Sequence, residues 1–218
     1  MQPTVQPVTP LSAYPAAKRT SIAHDELMAL PVLRYGGSIR VVATDADLRH
    51  ALHELRRERV LGFDTESRPT FRKGQAAHPP CLVQLAGQHT VYLFQLQQLD
   101  CSAALSTLLG NAHIVKTGVA LSRDLLELRR LFPCEGANLL DLGDVAKKHG
   151  YKQTGVRNLT GLFLDGRITK GAQTSNWAQP KLSESQLRYA ATDAWVCREL
   201  YLRFEKLGLL TTPVTSNS

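Results

Sequence analysis

Val60-Leu-Gly-Phe-Asp64-Thr-Glu66 is the stretch on which the reading of this chain turns. It opens on apolar residues and then places acids at i and i+2. Side chains alternate faces along an extended strand, so Asp64 and Glu66 project from one side while Phe63 and Thr65 point to the other. Two carboxylates on one face repel, and they resist ionisation unless a cation lies between them. Such a pair is either solvated on an edge strand or half of a cation site. Val60, Leu61 and Phe63 speak for burial, and therefore for the second reading.

Outward from that run, the pattern alternates strands with helices. Residues 39–42 read as a short strand, and Thr44 caps a helix whose apolar stripe is Leu48, Leu52 and Leu55. A polar loop over 67–80 follows the opening strand. Runs at 81–86 and 90–94 flank Gly87-Gln-His89, as in a hairpin. The spacing then predicts a helix near 102–109, a buried strand at 113–116, a helix over 121–132 and a strand at 138–140. Helices near 144–149, 156–164 and 183–207 complete the chain. This is an α/β domain with a mixed sheet covered by helices.

Two of the predicted helices carry an acid inside an apolar stripe. In the helix over 121–132, Leu121, Leu125, Leu128 and Phe132 mark the core face, and Asp124 falls among them. Asp124 reads either as an inward-facing ligand or as an acid favoured by the helix first turn, and the two roles are compatible. In the last helix Asp193 lies within the stripe Tyr189, Val196, Leu200, Phe204 and Leu207. A charged acid there costs on the order of several kcal/mol unless it is paired or binds a metal. Tyr189 precedes it by one turn. Asp141 and Asp144 sit where a strand gives way to a helix and are expected to be structural caps.

Composition bounds the alternatives. The 218 residues allow one domain, and no apolar run approaches the roughly 20 residues that span a bilayer. We expect tails at 1–20 and 211–218 around a domain at 21–210. With 26 Lys and Arg against 19 Asp and Glu, the net charge of +7 favours polyanionic partners. Four scattered cysteines without a CxxC pair argue against zinc and against a disulfide framework, so a cytoplasmic location is expected. The N-terminal segment lacks a secretory signal, and an organellar presequence stays open. The histidines show no HExxH spacing, and neither a Walker loop nor Gly-x-Ser-x-Gly is present.

Over about residues 60–207 the acids and their surroundings resemble the DEDD superfamily of 3′→5′ exonucleases, in its tyrosine subclass, which includes ribonuclease D and the Werner-syndrome exonuclease domain. Leu-Gly-Phe-Asp64-Thr-Glu66 resembles the first motif. Lys116-Thr-Gly118 through Asp124-Leu-Leu-Glu-Leu128 resembles the second, and Tyr189-Ala-Ala-Thr-Asp193-Ala the third. Ser175-Asn176-Trp177 and Leu182-Ser183 resemble the approach to the third motif. Arg188 stands where the histidine subclass carries its histidine, which selects Tyr189.

The resemblance implies a ribonuclease-H-like fold with a five-stranded mixed sheet flanked by helices. It implies stepwise hydrolysis of DNA or RNA from the 3′ end, with release of nucleoside 5′-monophosphates. It also implies two divalent ions, Mg²⁺ or Mn²⁺, held by Asp64, Glu66, Asp124 and Asp193, with Tyr189 orienting or deprotonating the attacking water. Hard cations suit an all-oxygen site. Single-stranded 3′ ends are the expected substrate, and no helical domain is appended to the catalytic one. Thr65, Lys116, Arg68, Arg72 and Lys73 are candidate substrate contacts, and Trp177 either stacks on a base or packs in the core. A catalytically inactive nucleic-acid-binding module of the same fold is the alternative. A glycosidase built on two carboxylates leaves the other two acids, Tyr189 and the basic charge unexplained.

Overall fold

The computed structural model describes residues 19–70 and 78–210. After a short helix α1 (His24–Ala29) come β1 (Ser38–Val42), α2 (Asp45–Leu55), β2 (Val60–Ser67), β3 (Pro80–Ala86) and β4 (Thr90–Gln95). The second half alternates: α3 (Ser102–Leu109), β5 (Val115–Gly118), α4 (Leu121–Leu128), β6 (Leu139–Asp141), α5 (Leu142–Lys148), α6 (Val156–Leu164) and α7 (Glu184–Lys206). No helix among the described residues is long and apolar enough to cross a membrane.

Among the described residues the strands form one six-stranded sheet in the order β1-β4-β3-β2-β5-β6. β2, β3 and β4 are antiparallel neighbours, whereas β1 runs parallel to β4, and β5 and β6 run parallel to β2. The expectation of five strands is corrected to six. The short run at the chain's start is a full member, because its backbone pairs with β4 from Ser38 opposite Thr90 to Val42 opposite Phe94.

Each sheet face has its own core. Phe63, Val83, Leu85 and Phe94 pack against α2, α3 and α4 through Leu55, Leu105, Leu121 and Leu125. On the other face Leu82, Ala86 and Leu93 pack under Ala190, Ala191 and Ala194 of α7. The far half of α7 joins α5 and α6 through Leu159, Phe163, Leu200 and Phe204. The alanines bring α7 close to the sheet. The closest approach requires a glycine, since a Cβ on Gly62 would lie 1.9 Å from the Ala194 carbonyl oxygen.

Boundaries moved where local chemistry overrode pattern. β5 starts at Val115, two residues late, because Asn111 turns the chain by accepting the His113 N–H. α4 stops at Leu128, where the chain turns and Arg129 Nε donates to the Cys134 carbonyl. α5 starts at Leu142 because Asp141 is its cap. The helix α1 was not expected, since a six-residue segment with only Leu27 buried carries no periodic signal. Of the expected tails, 1–18 and 211–218 lie outside the described residues. Thr20 accepts the Lys152 N–H at 2.9 Å and so joins the domain.

Candidate active site

The acid-bearing end of β2 meets α7 in space. Asp64, Glu66 and Asp193 each offer a carboxylate oxygen, and these oxygens lie within 4.8 Å of one another. The β2 geometry follows from alternation: Phe63 enters one core while Asp64 and Glu66 face α7. Asp193 is placed by helix packing. Ser183 and Gln186 form a capping box at the start of α7, and Gln186 Nε2 donates to Ser175 Oγ at 3.0 Å and to the Asn176 carbonyl at 3.1 Å. The Ser175-Asn176-Trp177 segment is thus tied to the first turn of the helix that carries Asp193.

Burial and crowding make these acids reluctant to ionise. Glu66 is pushed up to about 10, by desolvation first and then by Asp64, Asp193 and Asp124. Asp64 is raised well above the carboxylate range by desolvation, then by Asp193 and Asp124. Asp193 rises to about 7 through desolvation, against a hydrogen bond from Tyr189 and the charge of Arg157. The Tyr189 phenol is itself pushed up by burial and by Asp193 and Glu66. Positive charge brought among these groups would relieve all four shifts together.

Asp124 reaches the cluster from the other sheet face. Thr65, pointing away from Asp64 as alternation requires, donates from Oγ1 to Asp124 Oδ1 at 2.6 Å. Asp124 rises to about 6, mainly by desolvation, with the Thr65 bond and Arg123 opposing. α4 has no cap of its own, since the preceding Ala120 sits in the left-handed region at φ 62° and offers no side-chain oxygen. Asp141 supplies one from elsewhere. Its Oδ2 accepts the Leu121 N–H at 3.0 Å, while its Oδ1 accepts the Gly143 and Asp144 N–H groups of α5 at 2.8 and 3.2 Å. Asp141 is the structural cap expected, and it serves two helices.

Other candidates fare differently. Tyr189 lies beside the acids and bonds Asp193, one turn away. Trp177 is only 1% exposed and packs on the Tyr189 ring at a centroid distance of 5.9 Å, so it has no free face for a base and its packing role stands. Lys116 is fully buried, its Nζ donating to the Asn111 carbonyl at 2.7 Å, and burial pulls it down to about 8. It pairs with Leu61 on the opposite core face and is no phosphate contact. Arg68 is exposed just beyond Glu66, and Arg72 and Lys73 lie outside the described residues.

Two residues near the site escaped the sequence reading. Arg157 of α6 lends its charge to Asp193, and Gln84 of β3 lies directly opposite Asp64. A lone amide inside the apolar run Cys81-Leu-Val-Gln84-Leu-Ala86 was the available signal for the second. Beside Tyr189 and Asp193 opens a cleft of 780 Å³, walled by Arg34, Ile168, Ser175 and Arg188 among others.

An all-carboxylate donor set of this kind fits hard divalent cations and offers no soft ligand for zinc or copper. The family model described as 3'-5' exonuclease matches residues 39–208, which contain every acid named above and Tyr189. The chain belongs to this 3′–5′ exonuclease family. A ribonuclease D from Gluconacetobacter diazotrophicus is 34% identical over 171 residues, covering 77% of this chain and 42% of that protein. The bifunctional 3′-5′ exonuclease/ATP-dependent helicase WRN of Mus musculus is 28% identical over 203 residues, covering 88% of this chain and 14% of that protein. The chain thus spans less than half the length of either relative. Among solved structures, the Aedes aegypti Nibbler EXO domain superposes with a TM-score of 0.69 at 27% identity, covering 77% of this chain and 87% of that one. The resemblance to ribonuclease D and the Werner-syndrome exonuclease, and the ribonuclease-H-like fold it implied, are borne out.

Proposed function

We propose that this member of the exonuclease family hydrolyses phosphodiester bonds stepwise from the 3′ end of a single nucleic-acid strand, using two divalent cations and releasing nucleoside 5′-monophosphates. The observation that carries the reading is the convergence of Asp64, Glu66 and Asp193 within 4.8 Å, at the end of a strand pinned under α7. Asp64, Glu66 and Asp193 are the residues to hold Mg²⁺ or Mn²⁺, with Asp124 completing the set. Asp64 and Glu66 both feel the charges of Asp193 and Asp124, so cations held among these carboxylates would offset the repulsion of the whole set. Bound cations supply charge neutralisation for the attacking and leaving oxygens of an in-line displacement.

The protein's own groups do the rest. Without cations, burial and the neighbouring acids hold the Tyr189 phenol protonated, and in the loaded site we assign it to orient the attacking water by hydrogen bonding. Trp177 holds the Tyr189 ring. The 780 Å³ cleft beside Tyr189 and Asp193 is of a size to enclose a terminal nucleotide, with Arg34 and Arg188 on its walls to meet phosphate. A ribonuclease among the relatives supports RNA as one substrate. Four free, buried cysteines suit a reducing compartment, which supports the cytoplasm.

The test is degradation of end-labelled DNA and RNA, single-stranded and with recessed 3′ ends, in Mg²⁺, Mn²⁺ or EDTA. Expected is a ladder shortening from the 3′ end that EDTA abolishes, with mononucleotides as product. Cleavage that survives EDTA, or internal cuts alone, would overturn the reading.

A further inference from the structure

Gln84 is fully buried in the middle of β3, yet neither its carboxamide oxygen nor its nitrogen has a hydrogen-bond partner among the described residues. A buried amide that no protein group pairs bears its desolvation cost, which an apolar side chain of the same volume would avoid. Packing alone does not explain a glutamine here. Its position does.

The β2/β3 register sets Gln84 directly opposite Asp64. Residues opposed in an antiparallel pair share a face, with Cβ atoms about 5 Å apart. Leu82 and Ala86, on the same face of β3, pack with Ala190, Ala191 and Ala194, so this is the face α7 covers. On the β4 side its neighbour is Leu93, which offers no polar atom. The side-chain acceptor next to the amide across the strand pair is therefore the Asp64 carboxylate.

We propose that Gln84 is a positioning residue for Asp64: once the acids are ionised around cations, Gln84 Nε2 donates to the Asp64 carboxylate and fixes which of its lone pairs face the ions. The terminal torsion of glutamine is broad, so the amide is free to turn its N–H toward the carboxylate. A ligating carboxylate held by an outer hydrogen bond loses less freedom on binding, and removal of such partners costs about 10- to 100-fold in metal affinity or activity. This inference rests on the metal-dependent reading above.

The experiment compares Gln84→Met, of similar volume, with the unaltered chain in three measurements: thermal unfolding without metal, Mn²⁺ binding by calorimetry, and steady-state cleavage of a single-stranded oligonucleotide. Expected are an equal or higher melting temperature, Mn²⁺ affinity about tenfold weaker, and a lower kcat with KM unchanged. Gln84→Leu serves as the second variant should methionine not fold. In an Asp64→Asn background, which keeps only a neutral acceptor, Gln84→Met should cost much less than tenfold in Mn²⁺ affinity relative to Asp64→Asn alone. Equal Mn²⁺ affinity and kcat in Gln84→Met, or the same tenfold loss in the Asp64→Asn background, overturns the proposal. Failure of the unaltered chain to bind Mn²⁺ overturns the metal site first, and this inference with it.

Discussion

α7 and α4 each deliver one aspartate to the acid end of β2, and they hold it by different means. α7 has 23 residues, a capping box, and a row of alanines that lets it settle on the sheet over Gly62, so Asp193 is positioned by packing along a whole helix. α4 has eight residues and starts from a left-handed alanine that caps nothing. Its apolar residues bury well, but the placement of Asp124 depends on two hydrogen bonds, one from Thr65 and one that Asp141 accepts from Leu121. One acid is fixed by many weak contacts and the other by two directional ones. The first should resist small perturbations and fail under large ones, while the second should respond to each bond.

The largest effect is expected from the acids themselves. Asp193→Asn and Asp64→Asn should each lower metal-dependent cleavage on the order of 10⁴-fold, the scale seen when one member of a concerted catalytic set is lost. Asp124→Asn should lose less, because it stands outside the three-acid cluster. Cleavage rates at saturating Mn²⁺ decide it, and equal losses for Asp124→Asn and Asp193→Asn would erase the distinction between the helices. Next comes Gly62→Ala. Its Cβ would collide with the Ala194 carbonyl, so α7 must lift from the sheet. We expect a destabilisation of about 1–3 kcal/mol by urea unfolding, together with a marked loss of cleavage, since Asp193 moves with the helix.

Smaller effects should follow on the α4 side. Asp141→Ala strips a cap from two helices, worth about 1–2 kcal/mol, and frees α4 to shift, with cleavage falling about tenfold. Asp141→Asn keeps one acceptor oxygen but turns its NH₂ donor toward the other helix's N–H, so it should recover only one of the two caps. Thr65→Val removes one bond to Asp124 and should lower kcat by at most about tenfold with little change in stability, whereas Thr65→Ser should restore it. A Thr65→Val protein with unchanged kcat would show that α4 needs no help to aim its acid.

The same contrast explains what could be read from the sequence. Asp64 and Glu66 were legible because strand alternation is a local rule, and Asp193 because an acid in a helical stripe shows at a spacing of four. The partnership of Thr65 with Asp124 was not legible. The two are 59 positions apart and meet on the face of β2 turned away from Asp64, so only the folded chain joins them. Gln84 was missed for the same reason, since its meaning lies in the pairing with Asp64. Lys116 was named as a phosphate contact and Trp177 was left between stacking and packing, because residue type does not decide burial for side chains with long apolar bodies; both are buried. The strands were placed to within two residues. The sixth was in the pattern from the start, and it was the family resemblance that counted five.

The finest distinction between the two helices is electrostatic, and pH exposes it without any metal. Asp124 is raised to about 6 and Asp193 to about 7, both mainly by burial, which Thr65 and Arg123 oppose at the first and Tyr189 and Arg157 at the second. A carboxyl raised on folding keeps its proton in the native state after the unfolded chain has released it. The native state then binds more protons, and stability falls as pH rises from the unfolded value near 4 to the folded one. Metal-free protein should therefore lose stability from about pH 4 upward. The share of Asp124 should end near pH 6 and that of Asp193 near pH 7, and Glu66, raised to about 10, should continue the decline beyond them. Each group adds at most about 1.4 kcal/mol per pH unit. Urea unfolding across pH 4–9 should show both variants flattening the curve, Asp193→Asn over the wider range because its charge raises Asp64 and Glu66 more than that of Asp124 does. Saturating Mg²⁺ should flatten it throughout, because a cation favours the ionised acids that protons otherwise neutralise. Were the two variants to flatten the curve over one and the same window, α4 and α7 would hold their acids in equivalent environments, and the contrast drawn from their packing would fail.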